Sequence, residues 1–295
     1  MNSKLIRRMV GFCCVFLALA NASPVSAQCL ALSGQQMLRA SPWPGEPEVG
    51  HIYKVQRWYV QDGDSLSVAH GQRLRLGQIN TTEMAHKSRP AQPYAQQARD
   101  QLDQQLAQQT EIYLRLLPNL QDHYGRWLVK IYDGAGLSAE ALLVARGLAY
   151  VVSMDAQGAD DCLWQHESSA RKQGLGIWRT ALSAVYQAAD LSPKRGGFMR
   201  MGGVVADISE SQHDWYIGFG GQAGIKIDKQ LLAGSHLRAN NRQQLEQWAG
   251  QTIIARGWLS WRKLSKKQRQ KGYLSGLMSV YHLDMLEQAP ALSGL

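Results

Sequence analysis

Four short pieces of this chain carry side chains that could work together on a phosphate ester. They are Val60-Gln61-Asp62-Gly63-Asp64-Ser65, Leu74-Arg75-Leu76, Ile79-Asn80-Thr81-Thr82-Glu83 and Asp122-His123-Tyr124-Gly125-Arg126. Phosphodiester hydrolysis requires that charge growing on the phosphoryl oxygens be neutralised, that a water be activated and that its attack be in line. Arginine supplies planar, permanently charged donors that match phosphate two bonds at a time. A carboxylate can orient or deprotonate the water. A hard divalent cation held by oxygen ligands can neutralise charge and position the parts. Arg75, Arg126, Glu83 and Asp64 provide these types. Singly, each piece has a plainer reading. Asp-Gly-Asp is a common hairpin turn, Arg75 a solvent-facing strand residue, Glu83 a solvated loop residue, and Tyr124-Gly125-Arg126 a turn entering a strand. The order and spacing of all four make the candidate site.

Stepping outward along the chain, apolar alternation broken at Asp62-Gly63 and His70-Gly71 predicts strands over 51–60, 65–69 and 73–79. Ala95, Ala98, Leu102 and Leu106 share one helical face within 94–108. Strands over 111–117 and 127–132 follow. A helix starts near Ser138, a plausible N-cap, and stops at Gly147, and a last one spans about 162–172. Three strands, a helix, two strands and further helices suit a five-stranded barrel of the OB type with helices packed on it. In that arrangement the four chemical pieces fall at strand ends or adjoining loops.

These motifs resemble the thermonuclease (staphylococcal-nuclease-like) family. The shared features are an Asp-Gly-Asp turn, an Arg-Leu strand leading into an Asp-Thr-Pro-Glu-like loop, and Asp-Lys-Tyr-Gly-Arg on a later strand. The likeness continues through Ala141-Leu142-Leu143, Gly147-Leu148-Ala149 and Gly176-Ile177-Trp178, covering roughly residues 50–179. It implies a calcium-dependent nuclease that cleaves DNA and RNA, single strands preferred, and leaves 3′-phosphate ends. Asp64 would be a Ca2+ ligand with Asn80 beside it, and Thr81 would offer its carbonyl. Glu83 would be the general base or water-orienter, and Arg75 and Arg126 would clamp the scissile phosphate, with His123 and Tyr124 touching the nucleotide. Four departures stand out. Asn80 replaces an acidic ligand, which weakens metal affinity without abolishing it. Thr82 replaces a proline and is expected to loosen the loop carrying Glu83. His123 replaces a lysine and is only fractionally charged at neutral pH. Ser153 and Asp155 stand where base-stacking tyrosines are common. Arg89-Pro90-Ala91-Gln92-Pro93-Tyr94-Ala95 looks like an exported bacterial branch that commonly carries Asn-Thr.

The remaining organisation is read from composition and charge. Residues 1–27 read as a signal peptide: Lys4, Arg7 and Arg8 precede a short apolar run, and Val25-Ser26-Ala27 offers small residues for cleavage. Export to the periplasm or medium is the expectation. No later apolar run is long enough to span a bilayer. Residues 28–48 are loop-like, 49–187 hold the nuclease-like domain, 188–197 are a linker, 198–287 a second domain and 288–295 a tail. In an exported chain Cys29 and Cys162 favour one disulfide, the alternative being that both remain thiols. A monomer is expected.

Formal net charge is +9, and it is unevenly placed. Residues 28–189 hold 15 Lys+Arg against 15 Asp+Glu, whereas residues 190–295 hold 14 against 8. The basic excess therefore points to a separate C-terminal module with an anionic partner. Strands are predicted at 199–208, 215–218, 224–228, 252–261 and 274–283, with a helix near 240–248. This is a second, smaller OB-like barrel. Between its last two strands lie Arg262, Lys263, Lys266, Lys267, Arg269 and Lys271, flanked by Trp258 and Trp261, which could contact nucleic acid. The plainer reading is a solvated charged hairpin over buried tryptophans. Three functions compete: a nuclease, a module that binds nucleic acid or protein without cutting, and an envelope adaptor docked by its basic domain.

Overall fold

The computed structural model describes residues 31–155, 157–230 and 245–288. The expected signal peptide, Cys29 and most of the helix near 240–248 lie outside the described residues, as does the tail after Gln288.

The first sheet contains β1 (Ser41–Pro42), β2 (Ile52–Val55), β3 (Trp58–Asp62), β4 (Ser65–Val68), β5 (Arg73–Leu76), β7 (Ile112–Gln121) and β8 (Trp127–Tyr132), with a separate pair β6 (Ile79–Thr81) and β9 (Ala149–Val151). Helix α1 (Gly34–Leu38) precedes it, and α2 (Ala95–Ala107), α3 (Ala139–Ala145) and α4 (Asp161–Lys172) pack on it. Strand order is β1-β2-β7-β8-β5-β4-β3. The first expected strand is broken at Gln56-Arg57, so its two halves sit near opposite ends of the path. The OB-type strand order expected from sequence is present, but the ladder does not close into a complete barrel.

Helix α2 buries Ala95, Ala98, Leu102 and Leu106, the face that the periodicity indicates. Ser138 caps α3 by accepting a hydrogen bond from the Ala141 amide, which satisfies one otherwise orphaned donor. One apolar core lies between the sheet and these helices, built on residues such as Leu66, Leu74, Leu102, Leu114 and Leu143.

The second sheet contains β10 (Val185–Gln187), β11 (Gly197–Val204), β12 (Asp207–Glu210), β13 (Asp214–Gly218), β14 (Ala223–Asp228), β15 (Thr252–Trp261) and β16 (Gly276–Val280), in the order β10-β11-β15-β16-β14-β13-β12, with β17 (Leu286–Gln288) on β15. Helix α5 (Lys266–Gln270) sits between β15 and β16. If each broken first strand is counted as two halves, both sheets share one permutation: first half, fourth, fifth, third, second, second half. The third and fifth strands are parallel in each, β5 with β8 and β14 with β16. The second core is its own, around Met201, Ile217, Ile225, Ala255 and Met278.

The two units meet through buried charge. Arg256 on β15 is 1% exposed and bonds both carboxylate oxygens of Glu167 on α4 at 2.7 Å. Its other Nη donates to Glu287 at 2.6 Å. Arg200 and Arg171 also reach Glu287, at 3.0 and 3.3 Å. Nearby, Asp284 accepts from the Ser153 hydroxyl, the Ala159 amide and the Trp164 indole. An aromatic run, Trp178–Tyr150–Phe198–Trp258, crosses the same boundary at centroid spacings of 5.0 to 5.2 Å.

Partial burial pushes the Glu287 carboxyl up, but Arg256, then Arg200 and Arg171, overcome this and hold it at about 2, against an ordinary 4.5. The folded value is depressed, so the stabilisation is present above the ordinary value and is lost as pH falls through about 2. Glu287→Gln should therefore destabilise the chain at neutral pH by about 2 kcal/mol, less than for a fully buried pair because the carboxylate is partly exposed. It should also flatten the loss of stability between those two pH values. Denaturant unfolding at several pH values measures both; parallel curves for the two proteins would refute the assignment.

Candidate functional site

The site begins at a glycine. A Cβ on Gly63 would lie 2.6 Å from the Ala98 Cβ and 2.9 Å from the Thr81 Cγ2. Only a residue without a side chain lets the β3–β4 turn lie this close to both α2 and β6. The Asp62 carboxylate accepts from the Gly63 amide at 2.7 Å and helps hold the turn. The next residue, Asp64, is thereby buried at 6% exposure, and a buried carboxylate needs partners. Its Oδ2 accepts from Arg75 Nη1 at 2.7 Å and from the Thr81 amide at 2.9 Å. Its Oδ1 accepts from the Ser65 hydroxyl at 2.9 Å.

Arg75 is not solvent-facing. It lies in β5 between Leu74 and Leu76 with all three buried, because the sheet carries covering structure on both faces here. Besides Asp64 it donates to Asn80 Oδ1 at 2.8 Å and to the Leu76 carbonyl at 3.1 Å. Asn80 Nδ2 in turn donates to the Thr81 carbonyl at 3.1 Å.

Arg126 arrives from the loop between β7 and β8. Asp122 builds that loop: its Oδ1 accepts from the amides of Tyr124 and Arg126, its Oδ2 from Arg126 Nε at 2.7 Å. Partial burial pushes the Asp122 carboxyl up, but these bonds from Arg126 outweigh it and hold it below its ordinary value. Gly125 at φ +70° permits the turn. Arg126 Nη1 then reaches the Ser65 hydroxyl at 3.1 Å, and the guanidinium lies 5.6 Å over the Tyr124 ring. The His123 and Tyr124 rings are in contact at 3.8 Å, and Tyr124 is 61% exposed.

Glu83 follows β6. Its amide donates to Gln92 Oε1 and its carbonyl accepts from the Gln92 amide, both at 2.9 Å. The Thr82 hydroxyl donates to the Pro93 carbonyl at 2.8 Å. This corrects the expected loosening: threonine ties down the loop with a bond that proline could not make. The loop's protein surroundings raise the Glu83 carboxyl above its ordinary value, Asp64 adds to this, and Arg75 and Arg126 oppose it. All four residues of the candidate site thus act on one another. Asp62 joins them. Burial first, then Asp64 and Glu83, push its carboxyl up to about 6. Asp62, Ser65, Asp122 and Gln92 are contributors that motif reading passes over, although three of them lie within the quoted pieces.

The oxygens of Asp64, Asn80 and Thr81, with the crowded carboxylates of Asp62 and Glu83, have the chemistry of a hard-cation donor set. Among the described residues, however, no three acidic, His or Cys side chains are gathered tightly enough to hold a metal ion. Arg75 engages Asp64 and Asn80 directly.

Ser153 and Asp155 do not face open solvent. Both are buried, and Ser153 bonds Asp284 of the second unit. Where tyrosines for base stacking would stand, a docking contact stands instead. In the second unit, Trp258 belongs to the aromatic run at the boundary rather than to a base-stacking surface. Trp261 is half-buried and its indole donates to the Arg195 carbonyl. Arg262, Lys263, Lys266, Lys267, Arg269 and Lys271 are all exposed. Cys162 lies in α4, with its Sγ 3.8 Å from His166 Nε2.

An OB-ordered sheet carrying two arginines bonded around a buried aspartate and its neighbouring serine, with a coupled glutamate, has the donor and acceptor types that phosphodiester hydrolysis needs. Residues 73–180 match the model of the staphylococcal nuclease homologue family. Its members are in general calcium-dependent nucleases acting on nucleic acid. The matched stretch includes Arg75, Glu83 and Arg126, while the Asp62-Gly63-Asp64 turn precedes it and the second sheet lies wholly beyond it. No curated protein matches the chain. No described helix is long and apolar enough to cross a membrane.

Gly63→Ala should lower stability by about 1–3 kcal/mol through overpacking against Ala98 and Thr81. It should also displace Asp64, so that nuclease activity falls further than the folded fraction. Thermal unfolding alongside activity per folded molecule checks this; full activity in a destabilised variant would show that the turn does not position Asp64.

Proposed function

We propose that the chain is an exported, calcium-dependent nuclease that hydrolyses DNA and RNA, single strands in preference, leaving 3′-phosphate ends. The observation that carries this is the network that joins Arg75 to Asp64 and, through Ser65, Arg126, with Glu83 electrostatically coupled to both arginines. Two permanent cations beside a carboxylate of raised basicity suit attack on a phosphate.

In this reading Glu83 accepts a proton from a water while the water oxygen attacks phosphorus. The bond from phosphorus to the 5′ oxygen breaks, that oxygen takes a proton from solvent to become a hydroxyl, and the phosphate stays on the 3′ side. Arg75 and Arg126 neutralise the phosphoryl oxygens as charge accumulates. Asp64 holds Arg75 and, through Ser65, Arg126 in register. Asp122 keeps Arg126 aimed, and Tyr124 with His123 offers an exposed ring surface to the adjacent nucleotide. Calcium, when bound, would be held by Asp64, Asn80 and the Thr81 carbonyl and would supply further charge neutralisation. Export is inferred from residues 1–27, and a Cys29–Cys162 disulfide would suit that compartment. A monomer is the matching oligomeric state.

A second reading, nucleic-acid binding without cleavage, is favoured by the bonds from Arg75 to Asp64 and Asn80, which leave Arg75 less available to substrate. Cleavage of single-stranded DNA by the chain in calcium and in chelator separates the two. Cleavage should require calcium and fall at least ~1000-fold in Glu83→Gln, a size in keeping with loss of general-base assistance. Binding with intact substrate would instead establish the second reading. Asn80→Asp restores one negative charge and should lower the calcium concentration needed for half-maximal activity; an unchanged requirement would remove Asn80 from the ligand set.

A further inference from the structure

The shared permutation of the two sheets gives their loops corresponding positions. In the first sheet the loop between the fourth and fifth strands, β7 to β8, carries Arg126 with Tyr124 beneath it. In the second sheet the same loop, β15 to β16, carries the six exposed cations from Arg262 to Lys271. Among the described residues none of the six is paired with an acid. The loop is built rather than loose. The Arg262 amide bonds the Ser275 carbonyl at 2.8 Å and its Nε the Leu274 carbonyl at 3.2 Å. Ser265 and Gln268 form a capping box that starts α5, and the Tyr273 amide closes back on the Gln268 carbonyl at 3.1 Å. Tyr273 itself is 51% exposed, an aromatic face at the loop's end.

The cationic surface also extends beyond the loop. The bond from the Trp261 indole to the Arg195 carbonyl, at 2.5 Å, brings the exposed Lys194-Arg195 pair against the base of the same loop. The Trp261 ring lies flat against Gly276, where a Cβ would come within 2.8 Å of it.

We propose that this loop, with Lys194, Arg195 and Tyr273, is a second binding site for single-stranded nucleic acid. It rests on the nuclease reading in taking the same substrate class as the first domain. Cations track the backbone phosphates, and Tyr273 offers a face to a base. A lipid surface is the less favoured partner, because hydroxyl and amide groups stand between most of the loop's cations and its one aliphatic side chain, Leu264, is only partly exposed. The buried Glu167–Arg256–Glu287–Arg200 pairing holds the site at a set distance from Arg75 and Arg126. A strand long enough to span both sites therefore gains from both, and a short one does not.

The test uses the full chain with Glu83→Gln, so that binding is read without cutting. Lys266→Glu, Lys267→Glu and Arg269→Glu are introduced together; all three side chains are exposed, and an unchanged melting temperature verifies the fold. Affinity for long single-stranded oligonucleotides at low salt should fall at least ~10-fold, and the slope of log affinity against log salt should shrink by about 2. Affinity for oligonucleotides only a few bases long should stay the same. Unchanged affinity and slope for the long strands overturn the proposal, as does an equal loss for long and short ones. Loss of binding to phosphatidylglycerol vesicles with oligonucleotide binding intact also overturns it and assigns the loop to a membrane surface. Absence of cleavage by the unmutated chain would sink the nuclease reading alone, since the loop is judged by binding.

Discussion

The candidate site is in effect the solvation shell of one buried carboxylate. Asp64 is nearly excluded from water, so both its oxygens must be satisfied by protein donors. The donors that answer are Arg75, the Thr81 amide and the Ser65 hydroxyl, and Ser65 carries the network on to Arg126. Each partner comes from a different element: β5, β6, β4 and, through Ser65, the β7–β8 loop. Burying one negative charge therefore draws four segments into register, and the two cations that could grip a phosphate lie side by side as a result. The steric condition for this is Gly63, which lets the turn approach α2 closely enough to remove Asp64 from solvent.

The boundary between the two units follows the same physics with charges reversed. Arg256 and Arg200 are buried cations, and Glu167 and Glu287 are the acids that make their burial tolerable. A buried charge left alone costs several kcal/mol, so pulling any one of these partners away from the others is costly. The arrangement also explains a departure in the first domain. Ser153 stands where a tyrosine could stack on a base, and its hydroxyl is instead held by Asp284. The second unit covers part of the first, and the residues beneath it suit docking.

Both units use one strand order, with a first strand broken in two and a parallel pairing of third and fifth strands. Their surfaces differ because the chemical side chains gather at a few turns, loops and adjoining strand residues. The first unit has its acids and arginines at the β3–β4 turn, on β5, and in the β6–α2 and β7–β8 loops. The second keeps only cations and one exposed tyrosine at the loop corresponding to the last of these. One scaffold thus presents a site with acids and bases in one copy and a purely cationic surface in the other.

Much of this was legible in the order of residues. Local signals are short-range: the Asp62-Gly63-Asp64 turn, the α2 face of Ala95, Ala98, Leu102 and Leu106, the Ser138 cap and the clustered cations of 262–271 each depend on neighbours within a few positions. The motifs that carry Arg75, Glu83 and Arg126 are compact as well, so they could be picked out from local order. The tertiary structure alone decided the rest. Alternation suggests that Arg75 faces solvent, and only covering structure on both sides of β5 buries it. Trp258 reads as a loop-flanking aromatic, yet pairing with β11 sets it beside Phe198 at the boundary. Thr82 reads as a weakened loop until Pro93, eleven residues on, comes back to accept its hydroxyl. Burial and partner choice are sums over contacts distant in sequence. The sequence by itself therefore determined which residue types stand at each turn and strand, while the folded chain decided which of them lose water and must find one another.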